Sequence, residues 1–269
     1  AFDAWSARLV ESVGFPAVYM TGYGASASVI GQPDIGLMTM TEMATHAKNM
    51  AVAVDIPLIA DGDTGYGGVL NVIRTVQEYE RAGIAAIQLE DQIFPKRCGH
   101  MEGKQLISKE DMVAKIRAAV SARRSEDFVI IARTDARAVA GLEEATHRAR
   151  ACADAGADVI FVEAPQTVDE MKEIARAVKS PLMANMVEKG KTPFLTAGEL
   201  ERLGYKVVIY PVSTLYTATK ALLELLRRLK EDDTTANGLD EMVTFGEFND
   251  LIGVEKMRAL EKTFTAGNH

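Results

Sequence analysis

Cysteine is scarce in this chain: Cys98 and Cys152 are the only two in 269 residues. Two thiols cannot staple a small secreted scaffold, so the expected setting is a reducing one, the cytoplasm. Long apolar runs are also missing, as is any signal-like or transit-like segment, and no membrane partner is expected. Nor is there a Lys/Arg run to grip phosphates: with 30 basic against 38 acidic residues the net charge is -8, which argues against nucleic acid and toward a small-molecule partner.

What the chain does have is a repeated alternation. Seven short runs rich in Val, Ile and Leu, namely AVYMTGYG, IPLIADGDTG, AAIQLEDQ, FVIIARTDAR, DVIFVEAP, SPLMANMVEKG and VVIYPVST, each close on polar residues. Continuous apolar runs suit parallel strands covered on both faces. Between them, LNVIRTVQEYERAG and LEEATHRARACADAG space their apolar residues as helices do and stop at Ala-Gly. Repeated βα units in such number predict a (β/α)8 barrel rather than an open doubly wound sheet. The chain starts directly in a helix-like segment, so the first strand is expected upstream of residue 1. Residues 1–230 form the barrel in this reading. Residues 231–269 form an apolar-rich helical arm that packs on a neighbouring subunit or folds back on its own barrel.

Polar residues gather at the carboxyl ends of the strands, where barrel enzymes build their sites: Thr21, Asp61, Asp63, Glu90, Arg133, Glu163 and Asn185. Asp61 and Asp63, two apart in DGDTGYGG, repel unless a cation lies between them. With Glu90 and Asp34 they make an oxygen-rich set suited to Mg2+ or Mn2+. Acids in a glycine-rich turn also cap helices, and Glu90 at the next strand end tips the balance toward a metal. Arg133 is placed to hold a carboxylate, with Asp135 and Arg137 as an ion pair behind it.

The segment FPKRCGH sets Cys98 among Lys96, Arg97 and His100, a setting that favours a thiolate or a thiol cycling its proton near neutral pH. Pro95, Gly99 and Gly103 make it a loop, able to act as a lid. Cys152, inside an apolar helix, reads as inert packing, and His46 and His147 read as helix-surface residues.

Together, EDQIFPKRCGH, DGDTGYGG, ARTDAR, FVEAP, ANMVEKGKTP and YPVSTLY closely resemble the isocitrate lyase and phosphoenolpyruvate mutase superfamily over nearly the whole chain. The resemblance implies a barrel whose last helix is swapped between partners in a homotetramer, a dimer of dimers. It also implies Mg2+-dependent carbon-carbon cleavage of a 2-hydroxy dicarboxylate or tricarboxylate. By position, Asp61 and Asp63 match the metal-site aspartates, with Glu90 and Asp34 reaching the ion through water, and Cys98 matches the catalytic thiol. Thr21, Gly22 and Tyr23 match a backbone cradle for a carboxylate, while Gly99, Arg133, Glu163 and Asn185 match substrate-binding positions. Tyr23, Glu163 and a metal-bound water all stand as acceptors of the hydroxyl proton. Tyr216 and Phe245 stand where methylisocitrate lyases carry arginines for an additional carboxylate, and Val187 replaces a hydroxyl residue of that group. LYTATKAL and TFGEFN resemble instead the petal death protein and 2,3-dimethylmalate lyase group. The expectation is therefore a 2-alkylmalate substrate giving pyruvate and a short carboxylate. The rivals are a 2-methylisocitrate lyase, an oxaloacetate hydrolase, a carboxyphosphonate-type phosphonomutase and, from a different class, a silent scaffold barrel.

Overall fold

The computed structural model describes residues 1–98 and 103–265. All seven predicted runs are strands: β1 (Val18–Met20), β2 (Leu58–Asp61), β3 (Ala86–Glu90), β4 (Val129–Thr134), β5 (Val159–Val162), β6 (Leu182–Asn185) and β7 (Tyr205–Ile209). They pair in parallel in sequence order and curl into a nearly closed barrel. Among the described residues there is no eighth strand, so β1 and β7 each pair on one side only.

The helices, in chain order, are α1 (Ala4–Ser12), α2 (Gly22–Ala25), α3 (Met40–Ala53), α4 (Val69–Arg81), α5 (Lys109–Ala122), α6 (Ala136–Val139), α7 (Leu142–Asp154), α8 (Val168–Ala177), α9 (Ala197–Leu203), α10 (Ser213–Asp232), α11 (Phe245–Ile252) and α12 (Val254–Thr265). Local sequence sets several starts. Thr39, Thr196 and Thr244 each cap a helix with Glu42, Glu199 and Glu247 returning the bond, the reciprocal arrangement that satisfies two otherwise orphaned amides. Gly204, in the left-handed region, ends α9 before β7.

Side chains alternate along a strand, and here the two parities part company. Met20, Leu58, Ala60, Ile87, Leu89, Ile130, Ile160 and Leu182 face the helices and belong to the main apolar core. The other parity points into the barrel, where Ala86, Ile131, Val159, Phe161, Met183 and Ile209 pack with Tyr19 and Ile59. Followed toward each carboxyl end, that inward parity delivers Thr21, Asp61, Glu90, Arg133, Glu163 and Asn185. Register levels Glu90 with Arg133 and with the inward Phe161.

The arm is divided. Helix α11 returns to its own barrel, with the Phe248 ring 4.9 Å from that of Trp5 and Arg8 donating to the Leu251 carbonyl at 3.1 Å. Helices α10 and α12 bury no residue, and Leu222, Leu226, Met257 and Phe264 lie open.

One buried tie links a helix to the site. Tyr79, on α4 and fully buried, donates its hydroxyl to the Asp61 carbonyl at 3.0 Å and meets the Tyr66 hydroxyl at 3.3 Å. Tyr79→Phe removes both contacts and leaves the Asp61 carbonyl unsatisfied, so urea unfolding should show a loss of about 1–2 kcal/mol.

Candidate active site

Thr21, at the end of β1, accepts from the Gly24 amide at 3.3 Å and starts α2. This turn points the Gly22 amide at Asp61 Oδ2, 3.3 Å away. A Cβ at Gly22 would sit 2.5 Å from that oxygen, so the contact requires glycine. Asp61 in turn accepts from the Asp63 amide at 3.0 Å, and Asp63 adopts φ 47°, in the left-handed region.

The chain brings Asp34 to the same place from the loop before α3. Between Asp34 and Asp63 lies the ammonium of Lys96, 2.5 Å from one Oδ1 and 2.7 Å from the other. Lys96 is only 3% exposed. The sequence reading set this lysine beside the thiol as a charge that lowers its pKa; the structure sends its side chain into the carboxylates instead.

Arg133 is the second cation of the mouth. Asp135 holds it at 3.0 and 3.1 Å, Glu163 lies 3.3 Å and Glu90 3.5 Å away, and the guanidinium carbon stands 5.3 Å over the Phe161 ring. Asn185 donates to Glu163 at 3.2 Å. The predicted pairing of Asp135 with Arg137 is thus corrected: Arg137 reaches outward to Glu170 at 2.6 and 2.8 Å.

Asp135 also clamps the loop. Lys104 donates to it at 2.8 Å and Gln92 at 3.2 Å, while Gln92 bonds both the amide and the carbonyl of Arg97, at 2.9 and 2.8 Å. A bridge between Gln92 and Leu106 closes the neck of this loop. Cys98, half-buried, lines the resulting pocket together with Tyr23, Asp34, Asp61, Glu90 and Tyr216. The Tyr23 and Tyr216 rings meet edge-on at 6.4 Å. Burial, then the neighbouring Tyr23, pushes Tyr216 up to about 12. Gly99 and His100 lie outside the described residues.

Charge at the mouth is unbalanced. Burial raises the pKa of Asp61, Asp63 and Glu90, with like-charged neighbours adding to it and Lys96 and Arg133 opposing it. Burial alone would lower the Lys96 pKa, but Asp63, Asp61, Glu90 and Asp34 reverse that and hold it as the ammonium. Glu90 Oε1 is buried with no hydrogen-bond partner, and Asp63 Oδ1 meets Lys96 as an ion pair without hydrogen-bond geometry. Among the described residues no three acid, imidazole or thiol groups already converge as a ligand cluster. The donors are nonetheless hard oxygens with charge to spare, the chemistry a divalent cation of the Mg2+ kind fits.

Several residues of the site carried no separate signal. Tyr19 and Gln88, hydrogen-bonded at 3.0 Å on the pocket floor, sit two residues before Thr21 and Glu90 on the inward parity, and counting by two would have found them. The Lys96 placement and the Asp135 clamp depend on loop geometry that spacing does not encode. Cys152 and His147 are as expected, whereas His46 is half-buried with its Nε2 2.8 Å from the Phe2 carbonyl. Cys152 is buried in α7, where burial pushes its thiol up to about 12, while half-buried His46 and exposed His147 stand on helices away from the pocket. Phe245 is 85% exposed on α11 and does not line the pocket of its own chain.

A parallel barrel with carboxylates, an arginine and a cysteine loop at the carboxyl ends of its strands has the layout of a barrel enzyme. Residues 1–230 match the family model described as phosphoenolpyruvate phosphomutase. The 2,3-dimethylmalate lyase of Eubacterium barkeri is 55% identical over 267 residues, 99% of this chain and 92% of that protein. A 2-methylisocitrate lyase of Aeropyrum pernix is 51% identical, covering 92% of this chain and 79% of its own. A crystal structure of a 2,3-dimethylmalate lyase superposes with a TM-score of 0.94 at 40% identity, covering 98% of this chain and 89% of that one. The chain belongs to the phosphoenolpyruvate mutase/isocitrate lyase superfamily and is a carbon-carbon lyase. Lyases of this superfamily are generally divalent-metal dependent.

Asp135 gives a test of the charge arrangement. Burial works to raise its pKa, but Arg133 and Lys104 more than offset this and hold it at about 2. A depressed carboxylate pKa contributes stability that is complete above the unfolded value and lost as pH falls through the folded one. Asp135→Asn should therefore unfold more readily in urea at neutral pH by about 2–3 kcal/mol. The gap to wild type should close as pH drops from about 4 toward 2.

Proposed function

We propose that this protein cleaves a 2-alkylmalate, with 2,3-dimethylmalate as the preferred example, to pyruvate and a short carboxylate. The observation that carries this reading is the lining of the pocket: Val187, Pro211, Val212 and the ring of Tyr216 join the acids there, while the lining cations Lys96 and Arg133 are engaged by carboxylates and Arg97 is tied through its backbone to Gln92. An alkyl substituent loses nothing against these apolar side chains, whereas a third carboxylate set against them would be desolvated. In the relatives that cleave a tricarboxylate, the resemblance puts an arginine at the position of Tyr216.

Asp61, Asp63, Glu90 and Asp34 would hold a divalent cation, Mg2+ or Mn2+, whose contribution is Lewis-acid stabilisation of the oxyanions that develop on scission. Arg133 and the amides of residues 21–23 grip the substrate carboxylates. The 2-hydroxyl proton passes to Tyr23 or Glu163, the C2–C3 bond breaks to leave pyruvate, and its electron pair remains as the enediolate of the second fragment. The Cys98 thiol gives its proton to that carbon, ending the reaction as a thiolate until solvent reprotonates it. The resemblance puts Gly99 at a substrate-binding position, and the sequence sets His100 two residues after Cys98. Cys98 and Cys152 form no disulfide, which supports a reducing, cytoplasmic location, and no helix among the described residues is long and apolar enough to cross a membrane.

The open leucine face of α10 and the exposed Phe245, Met257 and Phe264 favour a homotetramer whose C-terminal helices pack on a neighbour. Sedimentation should give a tetramer, and Leu226→Asp, which charges that face, should shift it toward smaller species.

Pyruvate release, followed by coupled reduction across a panel of malates and 2-methylisocitrate, tests the substrate. Turnover should favour 2,3-dimethylmalate and vanish with chelator; no turnover on any 2-alkylmalate would overturn the reading, and preference for the tricarboxylate would select the rival lyase. Cys98→Ser should lower kcat by about 10²–10⁴-fold while substrate binding persists, whereas a scaffold barrel would have no turnover to lose.

A further inference from the structure

Asp91 is a fully buried acid that the reaction above leaves unused, and it follows Glu90 directly in the chain. Glu90 lines the pocket and pairs in register with Arg133, while the opposite parity sends Asp91 toward the helices. There Thr134 donates its hydroxyl to Asp91 Oδ2 at 2.7 Å, and the Asp135 amide donates to Oδ1 at 2.9 Å. Arg148, buried on α7, reaches Oδ2 at 3.2 Å and also donates to the Ile107 carbonyl at 2.9 Å and to Glu144 at 2.7 Å. A buried ion pair adds little stability over apolar side chains of similar volume. What this one supplies is a fixed turn at the end of β4, directly behind the pocket.

That turn decides a competition. Arg133 stands among three carboxylates, with Asp135 at 3.0 and 3.1 Å, Glu163 at 3.3 Å and Glu90 at 3.5 Å. Whichever acid the guanidinium follows sets the direction of its other N–H groups, because its donors form a rigid planar fork. Asp135 takes it with two hydrogen bonds, and the amide of Asp135 is the one that Asp91 holds.

We propose that Asp91, itself held by Arg148, is a positioning residue for substrate binding: by fixing Thr134 and the amide of Asp135 it aims the Arg133 guanidinium at the substrate carboxylate. This rests on the role given to Arg133 above. When Asp91 is altered, Asp135 loses its fixed place and the guanidinium settles toward Glu90 and Glu163, with its N–H groups turned from the ligand. The effect passes through Arg133, so it falls on affinity and vanishes once Arg133 is itself replaced.

A double-mutant cycle on the binding of 2,3-dimethylmalate with Mg2+ tests this, read by calorimetry in a Cys98→Ser background where turnover is slowed and binding persists. Asp91→Asn should weaken binding by about fivefold or more. Arg133→Lys, which loses the planar fork, should weaken it by about tenfold or more. With Arg133→Lys already present, adding Asp91→Asn should change the affinity by less than about twofold. With Cys98 in place, Asp91→Asn should raise KM and leave kcat within about threefold. Unaltered affinity in Asp91→Asn, losses that simply multiply with that of Arg133→Lys, or a fall in kcat at constant KM overturns the proposal and leaves the role of Arg133 standing. Arg133→Lys without loss, or no binding to the Cys98→Ser protein, overturns the reading of the site and the proposal with it. Should Asp91→Asn fold poorly, Thr134→Val, which keeps the volume and removes the hydroxyl, decides in its place by the same cycle.

Discussion

Everything at the mouth of this barrel follows from burying more negative charge than positive. Asp34, Asp61, Asp63, Glu90, Asp135 and Glu163 converge where water is largely excluded, with Lys96, Arg133 and Lys104 to oppose them. In such a medium an unpaired carboxylate is costly, and it either takes a proton or a cation. The raised pKa of Asp61, Asp63 and Glu90 marks where compensation is incomplete, and the depressed value of Asp135 marks where two cations complete it. One half of the mouth is therefore a finished structural ion network. The other half is in want of a positive charge.

That division is also a division of labour in the chain. Arg133 and Asp135 are two residues apart at the end of β4 and lock each other, so the arginine proposed to hold a carboxylate is aimed in advance. Since Asp135 also receives Lys104 and Gln92, the base of the cysteine loop and Arg133 share a single buried anchor.

Much of this was legible in the sequence because a strand has a period of two and the barrel has one wet end. Continuous apolar runs gave the seven strands, and polar residues at their ends gave Asp61, Glu90, Arg133, Glu163 and Asn185. Parity, applied further, accounts for Tyr19 and Gln88 as well. Loop geometry is different in kind. Nothing in FPKRCGH says that Lys96 turns inward while Arg97 is held by Gln92, since that depends on contacts with Asp34 and Asp63 from two other loops. The predicted Asp135–Arg137 pair failed for a related reason: Arg137 starts a new helical turn and leaves on its outer side, where Glu170 is nearer.

Substrate choice then becomes a matter of which wall the acids face. In the proposed function the carboxylate end of the ligand is held by Arg133 and the amides after β1. Discrimination falls to the opposite side, built from Val187, Pro211, Val212 and Tyr216 on the loop after β6 and the turn into α10. An apolar wall rejects a charged arm strongly, by leaving it unpaired, but distinguishes one alkyl group from another only weakly, by about 1–3 kcal/mol per methylene. On the proposed 2-alkylmalate reading, a site made this way disfavours a third carboxylate more than it distinguishes alkyl groups, so its selectivity lies in charge more than in shape.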